Sequence, residues 1–335
     1  MYKNNIGMND DIIIRKICSS DKEALASLYD RVWPEMAGLH LEKTSWAIDT
    51  SEYSGICAEV NGKIIGSRAC FRANVYLGEK RIVSVQFGDS CVDKDYRRFG
   101  LFSRMNTCFL HDFFKTKDEL IYNVSVDASR KAYEKLGWVY IRSLSNIIRI
   151  NQPLTFLIKK KGHFGVLAGN MVVDKYPIPN ISTIPDVLFE EREKVMKEKG
   201  CLHNRYDKGV LKWRLGTDSG IRSLYIEKIG LCLYKTGNKN GLRWCTIGEM
   251  FLFEYSYRCF SKMYSAVKSS DVFDAMNVVI SHAHPLYRFF LRKGFLINPR
   301  KPFLNHGVKV ESDKMKDICL NPNNWAIAEL DIDTF

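Results

Sequence analysis

Gly88-Asp89-Ser90-Cys91-Val92-Asp93-Lys94-Asp95-Tyr96-Arg97-Arg98-Phe99-Gly100-Leu101-Phe102-Ser103 is the stretch on which the fold turns. An extended run ends in a basic turn with one glycine, and a helix starts directly after it. Successive backbone N–H groups at such a turn, added to the positive end of the helix dipole, form a cradle for a pyrophosphate. Arg97 and Arg98 can add charge-assisted bonds. A solvated basic loop capping an ordinary helix would carry the same residues, so the turn by itself leaves both readings open.

Upstream, Asp11 to Cys18 reads as a strand, and Ser20-Asp21 opens an amphipathic helix that runs towards Trp33 and stops at Pro34. Three strand-like runs follow, Gly55–Val60, Lys63–Val75 and Lys80–Val92, separated by Asn61-Gly62 and Gly78-Glu79. Asn-Gly between apolar runs is a strong hairpin signal, so an antiparallel meander is expected here. Downstream come a helix from Leu101 to Lys115, a strand Leu120–Val126, a helix Ala128–Leu136 closed by Gly137, and a strand Tyr140–Ile150. The order β-α-βββ-α-β-α-β predicts an α/β fold of the α+β kind, a mixed sheet with helices on its faces, filling residues 1–150.

The second half repeats this more weakly. Leu224–Tyr234, Thr236-Gly237-Asn238 and Leu242–Phe253 read as a hairpin. Phe290-Leu291-Arg292-Lys293-Gly294-Phe295 matches Tyr133-Glu134-Lys135-Leu136-Gly137-Trp138, which predicts a duplicated domain over residues 151–335. Residues 151–220 hold Pro153, Pro177, Pro179, Pro185 and a charged helix, Glu190–Lys199, and read as a connecting region plus the first helix of the second domain. No counterpart of Arg97-x-x-Gly100 follows the second hairpin, because Phe253-Glu254-Tyr255-Ser256-Tyr257-Arg258 lacks a glycine. The second copy is therefore expected to be degenerate at this turn.

A chain of 335 residues, 46% hydrophobic and 26% charged, is long enough for two globular cores and is not a disordered tail. Lys and Arg number 50 against 38 Asp and Glu, and the net charge of +12 favours an anionic partner. Basic residues are spread along the chain without a basic-aromatic stripe, so nucleic acid is not expected. The ten cysteines show no C-x-x-C pair and no metal spacing, which predicts reduced thiols, no metal and a cytoplasmic location. Met1–Asp11 is polar and no run of 18 apolar residues occurs, so no membrane span is expected.

Val92, Tyr96-Arg97-Arg98-Phe99-Gly100, Leu101-Phe102-Ser103 and Tyr133–Trp138 resemble the acyl-CoA-binding motifs of the GNAT superfamily of acyltransferases. The family's Arg/Gln-x-x-Gly-x-Gly/Ala loop holds the CoA pyrophosphate; this chain matches it at Arg97 and Gly100 and departs from it at Phe102, where the usual residue is small. The resemblance implies tandem GNAT-like domains, the second degenerate, not binding CoA and expected to shape the acceptor pocket. It implies acyl-CoA contacts from Cys91, Val92, Arg97, Arg98, Phe99, Gly100, Leu101, Phe102, Ser103 and Ser129, with Asp127 where the family often has Asn. Tyr133 falls where the family often keeps a tyrosine that protonates the departing thiolate, and a half-buried core aromatic is the alternative. Asp89 is the expected base, with a structural carboxylate as its alternative; Cys91 as a covalent nucleophile competes with an inert buried thiol.

Leu211-Lys212-Trp213-Arg214, Asn324-Trp325 and Asp331-x-Asp333 look like the two-domain branch found with surface-polysaccharide genes. That branch implies transfer from acetyl-CoA or 3-hydroxybutanoyl-CoA to a nucleotide-linked amino sugar, such as a dTDP-amino-dideoxyhexose. His40, Trp213 and His284 are the implied acceptor contacts, with His282, Tyr225 and Trp244 as further candidates, and core packing is the competing role for each. Rival readings are an aminoacyl-tRNA-dependent transferase of the Fem type, a small-molecule or protein N-acetyltransferase, and a non-enzymatic CoA-binding regulatory protein.

Overall fold

The computed structural model describes residues 11–34, 37–38, 40–50, 55–114, 119–154, 156–157, 172–177, 179–216 and 220–332. Lys115 and Asp333, named above, lie outside these residues, as does most of the polar N-terminal stretch. The chain forms two compact units. Residues 1–73, 82–140 and 307–317 make unit 1; residues 74–81, 141–306 and 318–335 make unit 2. The division is therefore not a single cut at residue 150.

Unit 1 runs β1 (Ile13–Lys16), α1 (Lys22–Val32), α2 (His40–Thr50), β2 (Gly55–Val60), β3 (Lys63–Arg72), β4 (Ser84–Val92), α3 (Leu101–Phe113), β5 (Leu120–Ser125), α4 (Asp127–Glu134) and β6 (Val139–Ile141). Its sheet has the order β1-β2-β3-β4-β5, then the strand Asn305–Lys309, whose Gly307–Lys309 belong to this unit, then β6. The β2–β3 turn is the expected Asn61-Gly62, with both residues at positive φ as a tight hairpin requires. Leu101, Met105, Phe109 and Phe113 recur every four residues on α3 and bury one helix face against Val85, Phe87 and Ile121 of the sheet. Each such side chain contributes about 1.5–3 kcal/mol on burial. The helix α2 was not expected from the sequence.

Unit 2 contains β7 (Leu144–Ile150), α5 (Val187–Lys199), α6 (Lys208–Arg214), β8 (Ile221–Ile226), β9 (Gly230–Lys239), β10 (Leu242–Leu252), α7 (Tyr257–Ser269), β11 (Ala275–Ser281) and α8 (Tyr287–Arg292). Its sheet has the order Val172–Val173, β9, β10, β11, β7, Leu296–Ile297, and β8 pairs with β9. Three expectations are corrected. Thr236-Gly237-Asn238 continues β9, and the turn is Asn240-Gly241, both at positive φ. The run Tyr140–Ile150 breaks after Ile141, and Leu144–Ile150 pairs antiparallel with β11. The run Lys63–Val75 also breaks, because Val75–Leu77 belongs to unit 2 and pairs with Leu202–Asn204.

Both sheets carry a bulge at the same place. On β4, Ser90 faces Arg68 and Gly88 faces Ala69, leaving Asp89 as the extra residue. On β10, Glu249 faces Leu233 and Ile247 faces Tyr234, leaving Gly248 extra. A shared bulge is a stronger sign of duplication than the helix–glycine match, since bulges re-aim a strand at particular positions.

Candidate active site

In unit 1, β4 and β5 run parallel and pair only from Ser84–Leu120 to Phe87–Asn123. Beyond Phe87, β4 goes on to Val92 and pairs with β3. A slot therefore opens between β4 and β5, and the basic turn stands at the far end of β4.

The turn is held from beneath. Asp93 accepts from the Asp95 N–H at 3.3 Å and pairs with Arg31 at 3.0 Å and Lys63 at 3.7 Å. Burial pushes its carboxyl up, but the Arg31 bond and its other partners outweigh this and leave it below the ordinary value. Arg97 Nε donates to the Val92 carbonyl at 3.2 Å. Gly100, at φ 71°, is the N-cap of α3, and no side chain caps that helix end. A Cβ at Gly100 would touch nothing, so glycine is favoured there by backbone conformation and not by space. Gly100, Arg97 and Arg98 are exposed, while Tyr96, Phe99 and Phe102 pack part-buried on the core below. Leu101 is buried, and Ser103 sits in the uncapped first turn of α3. The arrangement leaves first-turn N–H groups of α3 and two guanidinium groups available to an anion.

Phe102 is larger than the family's usual residue, and its bulk is used in packing, where the ring meets Tyr133 edge-on at 5.1 Å. Tyr133 is only 3% exposed and also lies 5.0 Å from Trp138. Ser129, near the start of α4, donates its hydroxyl to the Val126 carbonyl at 3.1 Å, and Asp127 is exposed at the first position of that helix.

Successive residues of β3 serve opposite faces of the sheet. Ser67 meets the Tyr29 hydroxyl of α1 at 2.9 Å, and burial holds that phenol well above its ordinary value. Arg68 turns the other way, 3.7 Å over the Phe87 ring and 5.8 Å from Tyr133, and donates to the Gly88 carbonyl. Its Nε and Nη2 have no acceptor among the described residues. Asp89, in the bulge at φ 39°, pairs with Lys43 of α2 at 2.9 Å. Asp89 and Tyr133 thus associate with opposite faces of the sheet beside the slot. His40 is buried between Tyr29 and Trp33, with ring centroids 5.7 and 6.0 Å away. Cys91 is buried, and burial pushes its thiol up, so it stays protonated at neutral pH and is a poor nucleophile. Arg68, Lys43 and Tyr29 were missed in the sequence. Arg68 carried a signal, being a cation inside the otherwise apolar and small-residue run Ile64–Phe71.

Unit 2 treats the equivalent slot differently. Its parallel strands β10 and β11 pair only from Trp244–Ala275 to Thr246–Asn277. The diverging space holds the C-terminal segment: Ser281 N–H donates to Ile327 O at 2.9 Å, Ile280 bridges Ala328, and Val279 N–H donates to Glu329 at 3.0 Å. Leu330 packs in one cluster with Phe251, and Ala328 in another with Met250 and Leu252. Two stretches singled out in the sequence are partners here. Arg214 of α6 donates to the carbonyls of Leu330 and Ile332, and Tyr206 bonds Asp331 at 2.8 Å. Trp213, on the same helix, is half-buried. His284 is buried, with Nε2 3.1 Å from Glu249, while its Nδ1 accepts from Leu286 N–H. His282 pairs with Ser145 at 2.7 Å.

Residues 13–141 match the family model described as an acetyltransferase (GNAT) domain. No curated protein sequence matches the chain. Among solved structures, the chain is similar to a protein of Pyrococcus horikoshii described as a candidate acetyltransferase, at 13% identity over 98% of this chain and 97% of that one, with TM-score 0.55. It is similar to a GCN5-related N-acetyltransferase from Kribbella flavida, at 10% identity over 90% and 71%, TM-score 0.61. It is also similar to the Saccharomyces cerevisiae N-myristoyltransferase solved with bound myristoyl-CoA, at 11% identity over 92% and 85%, TM-score 0.55. These likenesses show the fold, two mixed-sheet halves of GNAT type. No helix among the described residues is long and apolar enough to cross a membrane.

Proposed function

We propose that unit 1 transfers an acyl group from acyl-CoA directly to an amine, and that the amine belongs to a nucleotide-linked amino sugar. The observation that carries the reaction is the open β4–β5 slot leading to the uncapped, arginine-flanked start of α3, inside a stretch that matches the acetyltransferase domain. The CoA pyrophosphate lies against Arg97, Arg98 and the first-turn N–H groups, and the pantetheine arm runs along Cys91 and Val92. Asp89 takes the amine proton, Tyr133 returns one to the thiolate, and Arg68 supplies the buried donors nearest Tyr133. The donor is acetyl-CoA, 3-hydroxybutanoyl-CoA or a similarly short acyl-CoA. A net charge of +12 suits two phosphate-bearing substrates.

The test is mass spectrometry after incubation with a panel of acyl-CoAs and nucleotide-linked amino sugars. An acylated nucleotide sugar is the expected product; CoA binding without any product would move the acceptor to another amine, and no CoA binding would end the enzyme reading. Two substitutions assign the roles. Tyr133→Phe should lower kcat by about 10²–10⁴-fold with little change in CoA affinity, the span of general acid–base catalysis. Asp89→Asn should move the acid limb of the pH–rate profile, and an unaltered profile would transfer the base to His40 or water.

A further inference from the structure

Unit 2 contains a cavity of about 910 Å³ that the catalytic reading does not use. Its walls come from β7, β10, the Phe156 segment and the stretch from Leu296 to Lys301, and Trp244 and Phe156 meet edge-on across it at 6.3 Å. The indole Nε1 of Trp244 and the side-chain oxygen of Asn146, both lining residues, are buried atoms without a partner among the described residues. An unmade buried donor or acceptor costs about 1–3 kcal/mol, so a donor and an acceptor left open together mark a place that a polar ligand completes. Lys239, Arg300 and Lys301 also line the cavity, and none of the described residues that line it is acidic.

These features select one ligand chemistry. The aromatic pair suits a flat ring, and the Trp244 N–H and Asn146 oxygen suit a ring edge that both accepts and donates. Three cations, with no acid among the described lining residues, suit phosphate groups. The volume lies within the span of small-ligand sites. We propose that this cavity binds a nucleoside diphosphate, with the base against Trp244 and Phe156 and the phosphates on Lys239, Arg300 and Lys301. The proposal deepens the acceptor reading above. It rests on that reading for the sugar attached to the nucleotide, not for the site itself.

The test is calorimetric titration of the full chain with dTDP and with UDP, alongside thymidine and inorganic pyrophosphate, and with CoA as a separate probe. At least one nucleotide should bind about tenfold or more tightly than thymidine or pyrophosphate alone, since each half of the site supplies more than a tenfold factor's worth of contact. Lys239→Glu with Arg300→Glu should weaken nucleotide binding by about 10²-fold and leave CoA binding unchanged; Trp244→Phe, which keeps a ring and removes the N–H, should weaken it by about tenfold. Circular dichroism checks that the variants are folded. The proposal is overturned if neither nucleotide binds while CoA does, an outcome that leaves acyl transfer standing. It is also overturned if nucleotide binding survives the cavity variants and is lost in Arg97→Ala, which would place the nucleotide in the unit 1 cradle. Loss of both kinds of binding in the wild-type chain would end this inference and the acyltransfer reading together.

Discussion

Glu249→Ala is expected to lower the unfolding free energy of unit 2 by about 3–5 kcal/mol, the range for removing one member of a buried ion pair. Glu249 and Arg192 each have 1% of the side chain exposed and lie 3.0 Å apart. The carboxylate also accepts from Met250 N–H and contacts His284, while Arg192 reaches the Asn204 carbonyl at 2.8 Å. Removing the carboxylate leaves a guanidinium sealed from water with its charge uncompensated. The paired change Arg192→Met with Glu249→Leu should recover part of the loss, because no charge is left uncompensated, while Met250 N–H, His284 and the Asn204 carbonyl still lose the bonds made to the pair. Urea unfolding checks both, and a loss below about 1 kcal/mol for Glu249→Ala would mean that Arg192 finds another acceptor. The pair also sets acid sensitivity. Burial alone would push the Glu249 carboxyl up, but His284 and Arg192 outweigh it and hold the value at about 2, below the ordinary 4.5. Its contribution is therefore complete above 4.5 and is lost as pH falls towards 2. Burial holds His306 neutral down to about 3, so stability already declines as pH drops below 6.5. Glu249→Ala should flatten the lower part of this pH dependence.

In unit 1, ligand binding should suffer most from changes in the basic turn. Arg97→Ala removes a charge-assisted bond of about 1.5–3 kcal/mol, which weakens CoA about 10–100-fold. Gly100→Asp should weaken it at least as much, because it places a carboxylate where the helix dipole and Arg97 otherwise attract phosphate. Space does not oppose that side chain, and aspartate tolerates the left-handed conformation better than most residues, so the fold should survive. Calorimetry with CoA reads both variants. Raising ionic strength should narrow their distance from wild type, since exposed charges are screened. Unchanged affinity in both would take the turn out of the CoA site.

Much of unit 1 was legible because its signals are local. Asn61-Gly62 marks a hairpin through its positive φ values, the four-residue spacing from Leu101 to Phe113 marks one helix face, and Arg97-x-x-Gly100 marks a turn. The reading weakened where long-range pairing decides. Val75–Leu77 continues an apolar run, yet it leaves β3 to pair with Leu202–Asn204. Thr236-Gly237-Asn238 has turn composition, yet it stays extended because β10 pairs with it along its length. Phe102 looked like a departure from a motif until its contact with Tyr133 gave it a purpose.

Two mixed α/β halves, a basic turn before a helix, and a second half without such a turn could all be read from the order of residues. These are matters of periodicity, turn chemistry and composition, each carried by residues close together in the chain. Folding in three dimensions was needed to part β4 and β5 after Phe87, to set Asp89 and Tyr133 on opposite faces beside that opening, and to lay the C-terminal segment in the matching opening of unit 2. It also put His284 in a buried cluster with Glu249 and opened the Trp244 cavity. Burial, pairing and charge compensation depend on which distant segments meet, and residues such as Arg192 and Glu249, 57 positions apart, acquire their roles only when the fold brings them together.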